Sequence, residues 1–134
     1  MISSLKVQTS TIAWIKARPA MIAPIVVDEV RESEWQGNQF VYPNIRVRVL
    51  DLSNLLRNRC NVTDAPIDII INSNQPSSLE AETIADAVIT GMQGRTFTQS
   101  GVRFTSIIAR QTPAFRVEGE GIWRSVVHLQ AIVN

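Results

Sequence analysis

With 134 residues, 45% of them hydrophobic and 19% charged, the chain is expected to fold around its own core as a single domain, and disorder is excluded. A net charge of +1 excludes a strong sequence-wide pull towards nucleic acid, and the lone Cys60 excludes an intrachain disulfide or a cysteine-based metal centre. No apolar run approaches membrane-spanning length and Met1–Lys6 lacks a signal-peptide pattern, so the expectation is a soluble protein made in a cytoplasm, with no membrane partner.

Residues 3–17 are expected to form a first helix. Ser3 or Ser4 can cap it, Pro19 sets its end, and Leu5, Ile12 and Ile15 fall near one face, with Val7 and Trp14 off that stripe. The run Val7–Ile12 is rich in poor helix formers, so packing must hold this helix. Residues 25–35 suit a strand with one polar face, Gly37-Asn38 a turn, and Phe40–Tyr42 renewed strand character. After Pro43, Ile45, Val47 and Val49 alternate with Arg46, Arg48 and Leu50, the pattern of a half-buried strand. Residues 51–66 read as a long connection in which Leu52–Arg59 allows a helical turn; Ile67, Ile69 and Ile71 then mark a third strand.

The second helix carries the clearest pattern. Ser77 and Glu80 match a capping box, Ala81, Ile84, Ala85, Val88, Ile89 and Met92 keep helical spacing, and Gly94 provides a left-handed stop. Val102, Phe104, Ser106 and Ile108 are expected on one face of a fourth strand. Trp123, Ser125, Val127, Leu129, Ala131 and Val133 are expected on the core face of the last, where Trp123→Ala would cost about 3–5 kcal/mol. Thr112–Gly121 between them reads as a loop or an extended hairpin tip. The order αβββαββ predicts an α+β fold: a mostly antiparallel sheet with helices packed against it.

Residues suited to chemistry are few. His128, the single histidine, falls opposite Leu129 and reads as a surface or interface residue, with no second histidine to share a metal. Cys60 follows Arg57 and Arg59, cations that favour a thiolate, and an inert thiol is the default reading. The pairs Asp28-Glu29, Glu32-Glu34 and Glu118-Glu120 are explained by solvent exposure or by arginines of a neighbouring subunit. Gly91–Gly94 closes a helix where a phosphate loop would open one. Arg46, Arg48, Arg103 and Arg110 could line a nucleic-acid surface, without the interleaved aromatics of RNA-recognition sheets. No catalytic residue, metal site or cofactor is expected. Eleven arginines against Lys6 and Lys16, with a low charge fraction, fit a subunit that covers part of its surface with a partner; a base-composition bias would give the same excess.

The layout resembles the bacteriophage tail-terminator and tail-completion proteins of the head–tail joining region. The segments that carry the resemblance are Tyr42-Pro43 before the arginine-bearing strand, Ile67–Ile71, Leu79–Val88 continuing to Gly94–Phe97, Gly101–Phe104 and Trp123–Gln130, from about residue 25 onward. The resemblance implies a structural virion protein, not an enzyme, forming a hexameric ring that caps the head-proximal end of the tail tube. Its implied partners are further copies of itself, the tail-tube protein and the head-connector or neck proteins, with DNA only as cargo in the lumen. Arg57 and Arg59 in the long connection, and Phe115, Arg116, Glu118 and Glu120 in the late loop, are the contact candidates, chosen for their place on loops and not from a family motif. The competing readings are another neck, head-completion or baseplate subunit, and a small ligand-binding or enzymatic α+β domain using the cleft between helix and sheet.

Overall fold

The computed structural model describes residues 2–35, 37, 41–54 and 62–134. Among them, helices α1 (Ser4–Lys16) and α2 (Leu79–Met92) and a short 3₁₀ turn (Val27–Glu29) accompany seven strands. These are β1 (Val30–Glu32), β2 (Asn44–Val49), β3 (Ser53–Asn54), β4 (Thr63–Ser73), β5 (Phe97–Gln99), β6 (Val102–Val117) and β7 (Ile122–Val133). The sheet runs β1-β2-β4-β7-β6-β5, with β3 on the end of β4. Only β1–β2 is parallel, so the class and the mostly antiparallel pairing agree with the sequence pattern.

Alternation decides the two faces. Ile45, Val47, Ile67, Ile69, Ile71, Val127, Leu129, Ala131 and Val133 point to one side and join Ala81, Ile84, Ala85, Val88 and Met92 of α2 in one core cluster. Those α2 side chains are 0–1% exposed, so core atoms fill the cleft between α2 and the sheet. Helix α1 packs through Val7, Ser10, Thr11, Trp14 and Ile15. Leu5, expected inside, is 71% exposed. The true stripe has helical spacing but includes Ser10 and Thr11; Thr11 donates its hydroxyl to the Val7 carbonyl at 2.8 Å, which satisfies it within the helix. Trp14 stacks on Phe97 at 4.4 Å, and Phe97 on Phe104 at 4.7 Å.

Three element boundaries differ from expectation. Residues 25–35 supply only the three-residue β1, because a 3₁₀ turn occupies Val27–Glu29 and pairing with β2 stops at Glu32. Strand β4 starts at Thr63, inside the expected connection, since β7 pairs along its whole length from Thr63 to Ser73. The expected turn at Leu52–Arg59 lies mostly outside the described residues, and Ser53–Asn54 is a strand. Nor does Ser77 close a capping box: α2 begins at Leu79, and Glu80 accepts from the Ser73 hydroxyl at 2.8 Å instead. Gly94 does take the left-handed conformation (φ +71°) expected of a helix stop.

Strand β6 changes face midway. Thr105 pairs with Ile132 and Ile108 with Gln130, so β6 spends one more residue than β7 there, and Ser106 adopts φ +53°. The bulge turns Ile107 inward (2% exposed) and Ile108 outward (56% exposed), overturning the expected Val102-Phe104-Ser106-Ile108 face. A second bulge between Thr112 and Phe115 contains Pro113 and Ala114. Strand β5 covers the outer edge of β6 only at Val102–Phe104. Beyond that, groups at both ends of α2 occupy the edge. Gly94 N–H donates to the Ile107 carbonyl (2.9 Å), Gln93 Oε1 accepts from Ala109 N–H (2.7 Å) and Glu82 Oε1 from Ala114 N–H (3.2 Å).

Candidate functional site

The sheet face away from the helices carries the polar side chains, in rows set by strand register. In one row Asn72 donates to Asn44 Oδ1 and Arg124 Nε donates to Asn72 Oδ1, both at 2.9 Å. Arg124 also lies 4.0 Å from Glu120. A neighbouring position on β2 holds Arg46, which donates to the Glu29 carbonyl at 2.7 Å and faces its carboxylate at 3.6 Å. Burial pulls the Arg46 guanidinium below its ordinary value, and Glu29 opposes that shift. Asn44, Arg46 and Asn72 line a cleft of about 460 Å³ whose other walls include Trp35, Tyr42 and Arg124.

A third row crosses four strands. Arg48 reaches Asp68 Oδ2 at 2.9 Å, Asp68 Oδ1 lies 2.7 Å from His128 Nδ1, and His128 Nε2 lies 2.7 Å from Thr112 Oγ1. A carboxylate only accepts, so Nδ1 carries the proton shared with Asp68, and Nε2 pairs with the Thr112 hydroxyl. Asp68 is 5% exposed, whereas the His128 side chain is 40% and the Arg48 side chain 53% exposed.

Hydroxyl, imidazole and carboxylate in that order resemble a nucleophilic triad, which also needs N–H donors aimed at a developing oxyanion. Pro113, next after Thr112, has no N–H, and Ala114 N–H is given to Glu82. The row ties β2, β4, β7 and β6 together through side chains. Below it, Gln130 donates to Asp64. Among the described residues no group of three or more His, Cys, Asp or Glu could hold a metal, and no helix is long and apolar enough to cross a membrane.

The expected contact residues divide. Arg57 and Arg59, with Cys60, lie outside the described residues. Phe115 and Arg116 belong to β6, not to a loop, opposite Arg124 and Trp123 and so on alternate faces; Glu118 and Glu120 are exposed in the turn that joins β6 to β7. The four thus share one hairpin end. Two further expectations are corrected. Arg46 is 7% exposed and lies inside the fold, not on a surface beside Arg48, and Glu29 is 8% exposed and paired with it, so solvent does not explain that carboxylate. Trp123 is only partly buried against the core. His128 does lie opposite Leu129, but its partners are 60 and 16 residues away in sequence, a proximity no local motif encodes.

No protein-family model and no curated protein matches this sequence. Solved structures do. A chain from the virion of a native gene transfer agent particle superposes with a TM-score of 0.77 and 17% identity, covering 98% of each chain. This is a shared fold. A second solved chain superposes with a TM-score of 0.58 and 13% identity over 98% of this chain and 91% of its own. The likeness to the virion chain covers both molecules nearly end to end, so it concerns the whole fold and not a common sheet motif.

Proposed function

We propose that this chain is a structural virion subunit, not an enzyme, and that it works as a tail terminator. On this reading, copies close into a ring, with six the number implied by the family resemblance. The ring caps the head-proximal end of the tail tube, ends tube polymerisation and joins the tail to the head connector. The observation that carries the reading is the full-length likeness to a chain of an assembled gene transfer agent particle. The Arg48-Asp68-His128-Thr112 row fits a structural role, because each member spends its polar atoms on a neighbouring strand, and the two backbone positions after Thr112 offer no free N–H.

The β6–β7 hairpin is the natural axial contact. Strand β4 ends at Ser73, opposite Trp123, while pairing continues to Val117 and Ile122 and the turn beyond. Arg116, Glu118 and Glu120 then meet the tube or the connector at one end of the ring. Arg57 and Arg59 remain further candidates for these contacts. A capping ring of this kind leaves DNA as cargo passing through its lumen.

Light scattering and negative-stain microscopy of the purified chain, alone and with its tail-tube protein, test the reading. Rings, and tubes of limited length bearing a terminal disc, are the expected result. A strict monomer that forms no ring even beside the tube protein would sink it.

A further inference from the structure

The ring reading leaves open which surfaces join neighbouring copies, and the two sides of this molecule are complementary. On one side, α2 carries Glu80, Glu82 and Asp86 and no Lys or Arg; Asp86 is exposed, as is Leu79 at 71%. On the other, the open sheet face along β6 presents exposed Arg110 between Ile108 (56% exposed) and Phe115 (42% exposed). Neither Asp86 nor Arg110 has an ion pair among the described residues.

The two surfaces also stand at the same height along the strands. Glu82 bonds Ala114 and Gln93 bonds Ala109, so α2 runs antiparallel to β6. Leu79 is therefore level with Phe115, and Asp86 with the Thr112–Arg110 stretch. Leu79 to Asp86 spans about 10 Å of helix rise. Phe115 to Arg110, with one residue taken up by the bulge, spans about 13 Å of strand. The mismatch is smaller than the reach of an arginine.

We propose, building on the ring reading, that a second copy of this chain seats the solvent face of its α2 on the open face of the first along β6. Leu79 meets Phe115 and Asp86 meets Arg110. The contact is heterologous, since it joins opposite sides of a two-layer molecule. Such contacts close into rings when they advance around the axis without climbing along it, and climbing makes filaments. Matched heights of donor and acceptor surfaces supply that condition. Charge supplies the direction, because an α2-to-α2 contact would oppose acidic groups and a sheet-to-sheet contact would oppose arginines.

Cysteines at the two apolar positions test this directly. Leu79→Cys with Phe115→Cys, in a Cys60→Ser background, should give on oxidation a ladder of covalent multimers ending at the ring size, while either single cysteine gives no ladder. The two positions lie on opposite sides of one chain, so a bridge within it is sterically barred. Asp86→Arg and Arg110→Asp should each weaken assembly about tenfold, and the double reversal should recover most of that loss. If the wild-type chain forms rings but the double cysteine gives no ladder, or neither charge reversal changes assembly, the interface is wrong and the ring reading stands. A wild-type chain that stays monomeric, alone and beside the tube protein, overturns both. Shielding of Phe115 and Arg110 from hydrogen exchange by the tube protein alone, and not by ring formation, assigns this face to that other partner and overturns the proposal.

Discussion

The two faces of the sheet are built from alternate residues of the same strands, yet they do different work. The helix-covered face is almost wholly apolar and closed, with Ile45, Val47, Ile67, Ile69, Ile71, Val127 and Leu129 each no more than 3% exposed. The open face holds Arg48, Asp68, His128, Asn72 and Arg124, tied in rows across the strands. Burying apolar surface is non-directional and tolerates many arrangements of similar volume. Hydrogen-bonded rows are satisfied in one register only, and a one-residue slip would move every member to the other face. Stability thus comes mainly from one face, and the register from the other.

The largest test of this division is Trp14→Ala on the covered side. It removes a side chain that is 1% exposed and stacked on Phe97, and should cost about 3–5 kcal/mol in urea unfolding. A cost below about 1 kcal/mol would mean that α1 is not held by this contact. Asp68→Ala on the open side should cost less, about 1–3 kcal/mol, because it strands Arg48 and His128 near solvent. It should also loosen β2–β4 and β4–β7 pairing, seen as faster amide exchange at those strands. An unchanged exchange pattern would reduce the row to surface decoration. Smaller again, Gln93→Ala should cost about 0.5–1.5 kcal/mol by baring the Ala109 N–H. Smallest is Phe115→Ala with Arg110→Ala, which should leave the unfolding free energy of the isolated chain within about 0.5 kcal/mol of wild type in urea unfolding. A marked destabilisation there would show that the open face belongs to the core after all.

What the sequence made legible follows the same division. Helix α2 and the inward faces of β2, β4 and β7 were readable because burial repeats at 3.6 or 2 residues, and periodicity is a local property. Helix α1 misled because its buried stripe passes through Ser10 and Thr11, whose polarity hid a correct helical spacing. The face of β6 misled because a bulge at Ser106 inverts the alternation, and serine does not announce a positive φ as glycine would. By contrast Ser100-Gly101, both at positive φ, forms the two-residue β5–β6 turn with a residue pair that does. The polar rows were illegible because each bond joins different strands. Asp68 and His128 lie in register only after β4 and β7 have paired.

The guarded edge of β6 has a consequence for how this protein behaves when crowded. A bare strand edge recruits another strand, the product exposes a fresh edge, and growth has no natural end. Here the two ends of α2 and the missing N–H of Pro113 interrupt that template at intervals along the longest strand of the molecule. Self-association through the backbone is discouraged, which leaves side-chain surfaces of fixed geometry to choose the neighbour. A molecule protected in this way can accumulate at high local concentration without growing strand by strand.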